Sequence, residues 1–141
     1  MPGNSVTILT SQVHPEDSTV KSVTGDKQKA DGYFGRSDGF HTVQINLTEF
    51  TGEIAFQGSL AITPSDTDWF SVEISSTTDT TVASVDTTGA ITSATTTTLS
   101  SVSLSDESSN LNYNFTGNYV WIRAVVTNWT SGSIKSILMN F

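Results

Sequence analysis

The sequence predicts an all-β fold: a single antiparallel β-sandwich, jelly-roll-like, preceded by an extended N-terminal arm. Three observations predict it. Apolar and polar residues alternate with a period of two at Thr42–Leu47 and Leu111–Phe115. The stretch Leu47-Thr48-Glu49-Phe50-Thr51-Gly52-Glu53-Ile54 is echoed, with one extra Ser, by Val126-Thr127-Asn128-Trp129-Thr130-Ser131-Gly132-Ser133-Ile134, and in part by Phe115-Thr116-Gly117-Asn118-Tyr119. Each copy reads as a strand end, a Gly turn and a new strand. No segment carries helical periodicity. Ser and Thr make up about a third of the chain, and Thr favours strands.

Residues 1–31 form the arm. Val6, Ile8, Val20 and Val23 alternate as in short strands, but no aromatic residue anchors them, so the segment is expected to pair at a sheet edge or with a neighbouring chain. The domain proper, 32–141, begins at Gly32-Tyr33-Phe34-Gly35. Val43, Ile45 and Leu47 mark its first strand, and Ile54 to Leu60 the partner across a turn at Gly52. Gly58 within that partner implies a bulge or a close backbone approach. Pro64-Ser65-Asp66 reads as a turn, followed by a strand in which Phe70, Val72 and Ile74 share a face. The Thr-rich stretch 75–109 reads as a pair of hairpins with a turn at Asp86–Gly89; a low-complexity linker is the alternative. Tyr119 to Val126 is nearly all apolar and reads as a central strand buried on both faces. Ile134 to Phe141 supplies the last strand, with the terminal Phe packed.

At 141 residues the chain is long enough for one domain with a real core. It has no cysteine, which fits folding in a reducing cytosol. No apolar run follows Met1, so no secretory leader is expected, and no stretch has the ~20 apolar residues of a membrane span. The net charge is −8, and between Arg36 and Arg123 there is no Lys or Arg. So long an acidic interval repels phosphates and anionic membranes, and excludes nucleic acid and membrane as partners.

Candidate sites are few. His14 and His41 are the two histidines, and no Gly-x-Ser-x-Gly elbow is present, so no catalytic residue is assigned and the chain is read as non-enzymatic. His41 reads as a strand-edge hydrogen-bonding residue. The acidic pairs Asp66/Asp68 and Asp106/Glu107 lack the spacing of a calcium loop and read as solvated turn carboxylates. No metal or other cofactor is expected. Trp121 reads as core, while Trp129, at a turn, is the aromatic expected to face solvent and to offer a ring for glycan contact. Arg123, inside an apolar strand, needs a carboxylate or a subunit interface beside it. With Lys27 and Lys29 it is the candidate interface. Three Asn-x-Thr matches, at Asn46, Asn114 and Asn128, are attributed to chance in a Thr-rich chain.

Taken together, Gly32-Tyr33-Phe34-Gly35-Arg36-Ser37-Asp38-Gly39, Phe50-Thr51-Gly52-x-Ile54, Gln57-Gly58-Ser59-Leu60-Ala61, Asp68-Trp69-Phe70, Tyr119-Val120-Trp121-Ile122-Arg123-Ala124 and Gly132-Ser133-Ile134 resemble small virion structural proteins of tailed bacteriophages. They are most similar to those of T4-like marine myoviruses of cyanobacteria. The resemblance covers about residues 32–141 and rests on packing and turn motifs, so no functional residue carries over. It implies an accessory β-sandwich on the particle and places it on neither head, neck, tail nor baseplate. The favoured reading is a capsid decoration or other exterior accessory protein, a homo-oligomer in the particle, partnered by capsid or tail subunits and assembled into the virion in the bacterial cytoplasm. The alternative is a carbohydrate-binding module or adhesin domain.

Overall fold

The computed structural model describes residues 5–35, 39–77 and 96–140. Among them there are eleven strands and no helix: β1 Ser5–Leu9, β2 Gln12–Val13, β3 Lys21–Thr24, β4 Gln28–Lys29, β5 Phe40–Ser59, β6 Phe70–Val72, β7 Ile74–Thr77, β8 Thr96–Leu99, β9 Val102–Glu107, β10 Asn110–Thr116 and β11 Trp121–Asn140. The fold is all-β, and every pairing is antiparallel.

Two strands of 20 residues, β5 and β11, form the frame. They pair along their whole length, from Ser59 opposite Trp121 to Thr42 opposite Asn140. The repeated Phe-Thr-Gly and Trp-Thr-Ser-Gly motifs are therefore not hairpin turns. They are bulged corners inside continuous strands. Buried positions in β5 run 41, 43, 45, 47 and then 50, 52, 54, 56; in β11 they run 122, 124, 126 and then 129. One extra residue at each corner flips the parity, which is what a bulge does. The backbone shows how: Glu49 and Asn128 take φ of 50°, and Gly132 takes 86°.

The corners bend the ribbon double. Between His41 and Gly58 an extended strand would cover about 55 Å. Yet both residues meet Tyr119: its ring lies 6.3 Å from that of His41, and a Cβ on Gly58 would stand 2.8 Å from its Cδ1. Gly58 thus marks the close approach that the sequence implied. Across the fold, Phe56 from one half of β5 lies 6.4 Å from Phe115, which pairs with the other half. The inner faces of the two halves bury Val43, Ile45, Leu47, Phe50, Ile54 and Phe56 with Ile122, Ala124, Val126, Trp129, Ile134, Ile137 and Met139. The two layers belong to one hydrogen-bonded sheet.

Short strands line both edges. On one, β4, β3, β2 and β1 pair in turn along β11. On the other, β10 takes the first half of β5, and β9 and β6 the second. Between the two, only Glu73 separates β6 from β7, which crosses to β10.

Three sequence expectations change here. The N-terminal segment takes the sheet-edge course, but as part of the domain and not as an appended arm. Ile8, Leu9, His14, Ala30 and Asp31 are buried, and a Cβ on Gly25 would stand 2.9 Å from the Ile8 carbonyl. The first half of β11 is fully buried on one face only; Trp121, Arg123 and Val125 on the other are half-buried. Of the trio expected on one face, Val72 and Ile74 are in the core, while Phe70 is 42% exposed and rests on Tyr119. In the Thr-rich stretch, β7 pairs with β8, and β9 runs along β5. The turn expected at Asp86–Gly89 and the packing expected of Phe141 lie outside the described residues.

Candidate functional site: a cationic aromatic face

The first half of β11 turns Trp121 and Arg123 outward, because its even-numbered residues face the core. β4 lies beside it, with Lys29 opposite Trp121. Lys27 Nζ sits 4.6 Å over the Trp121 ring, and Lys29 Nζ sits 4.6 Å over Tyr33. Tyr33 in turn lies 5.2 Å from Trp121 and 5.4 Å from Phe34. Next along the strand, the Arg123 guanidinium lies 4.1 Å over Trp69, and its Nε donates to Gln57 Oε1 at 2.8 Å. The structure therefore brings together the three residues that sequence reasoning singled out as an interface, Lys27, Lys29 and Arg123. Arg123 is served by an aromatic face and an amide, not by the expected carboxylate.

The result is a surface of alternating rings and cations. Tyr33 and Phe34 are each 45% exposed. Trp121 Nε1 donates to the Ile62 carbonyl at 3.0 Å and so fastens beside them a loop carrying exposed Leu60 and Ile62. Each cation over a ring gains about 0.5–1 kcal/mol at such sites, enough to bias its direction but not to neutralise it. The charges stay available to a partner. A fourth cation, Lys21, lies 5.4 Å over the Trp129 ring.

Trp129 itself overturns an expectation. It is fully buried, packs 5.8 Å from Phe50 and 5.7 Å from His14, and its Nε1 donates to the Ser131 carbonyl. A ring so enclosed has no face for a glycan. Trp121, expected in the core, is the half-exposed one. The reason is the bulge: the extra residue at Asn128 rotates Trp129 inward, whereas a hairpin turn would have left it outside.

The remaining candidates are structural. His14 is buried; its Nε2 donates to the Thr19 carbonyl, and its Nδ1 accepts from the Glu16 amide. His41 lies not at a strand edge but in the core, stacked 4.7 Å from Phe115, with Nδ1 hydrogen-bonded to the Gly39 carbonyl. Asp68 accepts from the amide and hydroxyl of Ser65, closing the expected turn, and those bonds hold its carboxyl below the usual range. The amide of Asp106 donates to Thr51, and Glu107 accepts from Ser109. Among the described residues no three His, Cys, Asp or Glu side chains come together as a metal site. No described helix could cross a membrane.

One feature had no sequence signal. A cleft of about 610 Å³ opens between β10 and the β6–β7 crossover, lined by Phe40, Thr42, Glu73, Asn114 and Tyr119 among others. Its residues come from three separate segments, 40–42, 71–75 and 114–119, so no local pattern joins them. Burial, and then the carboxylate of Glu73, push the Tyr119 phenol above its ordinary value. Comparison with known protein families, with curated proteins and with solved structures finds no match.

Proposed function

We propose that this protein is a non-enzymatic structural protein of a tailed-phage particle, a capsid decoration or other exterior accessory protein that docks through its cationic aromatic face. The observation that carries the docking part is the gathering of Lys27, Lys29 and Arg123 onto Trp121, Tyr33 and Trp69 in a chain whose net charge is −8. Aromatic and Arg side chains are the residues that dominate protein interfaces. The cations select an acidic partner surface, and the protein's own negative charge keeps other orientations apart. The assignment to a phage particle rests on the resemblance carried by residues 32–141. The partners are then capsid or tail subunits, and copies of the chain recur around the particle.

Mass spectrometry of purified virions tests the particle assignment: the protein is expected at a fixed copy number per particle. Its absence from virions overturns the assignment. Arg123→Gln and Trp121→Ala are expected to lower occupancy. Unchanged occupancy in both variants would move the docking surface elsewhere.

A further inference from the structure

We propose that the cleft between β10 and the β6–β7 crossover binds an uncharged sugar. It is made of different residues from the cationic face, so the inference stands apart from the docking proposal.

The cleft follows from the strand path. β6 pairs with the second half of β5, whereas β7 leaves it for β10, where the ladder holds only Ser75 opposite Asn114. Beyond that pair the end of β10 and the β6 strand diverge. The cleft so formed is about 610 Å³, inside the range of about 300–1,000 Å³ common for small-molecule sites. Phe40, Thr42, Asn114 and Thr116 line it from β5 and β10, and Ser71, Glu73 and Ser75 from the β6–β7 crossover. Phe115, His41 and Tyr119 complete the lining.

A sugar ring presents an apolar C–H face and a rim of hydroxyls. It therefore needs one bare aromatic ring and a set of donors and acceptors around it. Phe40 supplies the ring: it borders the cleft and is 72% exposed. Glu73 can only accept. Asn114 Oδ1 already takes the Thr42 hydroxyl at 2.8 Å, which leaves the NH₂ of its amide as the group that can donate. A carboxylate that accepts and an amide that donates, both lining the cleft, suit the hydroxyl rim of one ring. The hydroxyls of Ser71 and Thr116 extend the set. The cleft contains a carboxylate and no Lys or Arg among its lining residues. Acidic sugars and phosphates are thereby repelled.

The test uses the full chain on an array of neutral and acidic glycans, followed by saturation-transfer NMR with maltose, cellobiose, N,N′-diacetylchitobiose, glucuronic acid and choline as probes. At least one neutral glycan is expected to bind, with no transfer to glucuronic acid. Phe40→Ala and Glu73→Gln are each expected to weaken that binding about tenfold, as loss of one charged hydrogen bond or one stacking face would. Both positions are exposed, so melting curves at neutral pH should not move. Silence on the neutral glycans overturns the proposal. So does binding confined to glucuronic acid or choline, or neutral binding that survives both substitutions.

Discussion

At the scale of single residues, the two tryptophans of β11 carry the sharpest contrast. Trp129 is fully buried against Phe50 and His14, while Trp121 is half-covered by Lys27 and Tyr33. Truncating a buried aromatic costs about 3–5 kcal/mol. Trp129→Ala should lose stability in that range, and Trp121→Ala clearly less, in denaturant melts. Equal losses would mean that the corner does not hold Trp129 as described. Tyr119 makes a second residue-scale prediction. Its phenol is raised first by burial and then by Glu73, and that of Tyr113 by burial and Glu107. A phenol whose folded pKa is raised above the unfolded value of 10.0 contributes nothing against pH below 10. Above 10 the unfolded chain ionises first, so stability falls as pH rises towards the folded pKa. Melts from pH 9 to 11 should show that loss. Tyr119→Phe should flatten the curve, and Glu73→Gln should make the loss smaller and end it at lower pH while its onset stays in place, since the onset is set by the unfolded chain.

At the scale of elements, the bulged corners decide the fold. Gly132 sits at φ 86°, and a Cβ there would stand 2.1 Å from the Glu49 carbonyl oxygen on the opposite corner. Both the backbone conformation and the space require glycine. Gly132→Ala should therefore destabilise by about 1–3 kcal/mol or more, as a strained αL position does. A melt unchanged by it would remove the corner's constraint. The N-terminal strands give the matching prediction. β1 to β4 cover one edge of β11 and bury Ile8, Leu9, His14 and Ala30, so deleting residues 1–31 should unfold the domain or leave a molten species. A truncated chain with native β circular dichroism and an unshifted melt would return these residues to the role of a detachable arm.

These elements also show what could be read in the sequence. Alternation at Val43, Ile45 and Leu47 located a strand, because period two is a local property of the chain. The repeated Gly motifs were visible too, but a bulge and a hairpin share the same signal: both draw on a residue of positive φ, here Glu49, Asn128 and Gly132, within a Gly-containing stretch. What separates them is whether the flanking strands pair with each other or continue, and that is decided by residues as distant as Ser59 and Trp121. The reversal of Trp121 and Trp129 follows from that one ambiguity. Of the cationic aromatic face, Lys27, Lys29 and Arg123 were legible through charge placement. Their rings Tyr33 and Trp69 were not, since they reach the face from separate loops.

At the scale of the whole molecule, charge is distributed unevenly, and the proposed docking reading depends on it. Among the described residues Lys21, Lys27, Lys29 and Arg123 all lie on β3, β4 or the adjoining stretch, or on β11 itself, each over an aromatic ring. Of the described acidic residues from Glu49 to Glu107, Glu49 and Glu53 lie on β5, Asp106 and Glu107 on β9, and Asp66, Asp68 and Glu73 between strands. A molecule built this way has a positive face on a negative body. Its association with an acidic partner should be steered by charge and should weaken as salt shortens the range of the field, which is about 10 Å at 0.1 M and 3 Å at 1 M. Retention on purified virions across a salt series measures this directly. Wild type should dissociate progressively as salt rises. Lys27→Glu and Lys29→Glu should lower retention at low salt and reduce the slope, while leaving the melt almost unchanged because both side chains are exposed. If retention were insensitive to salt and to both substitutions, the rings alone, or a free sheet edge, would have to hold the protein in place, and the cations would be ornaments of the surface.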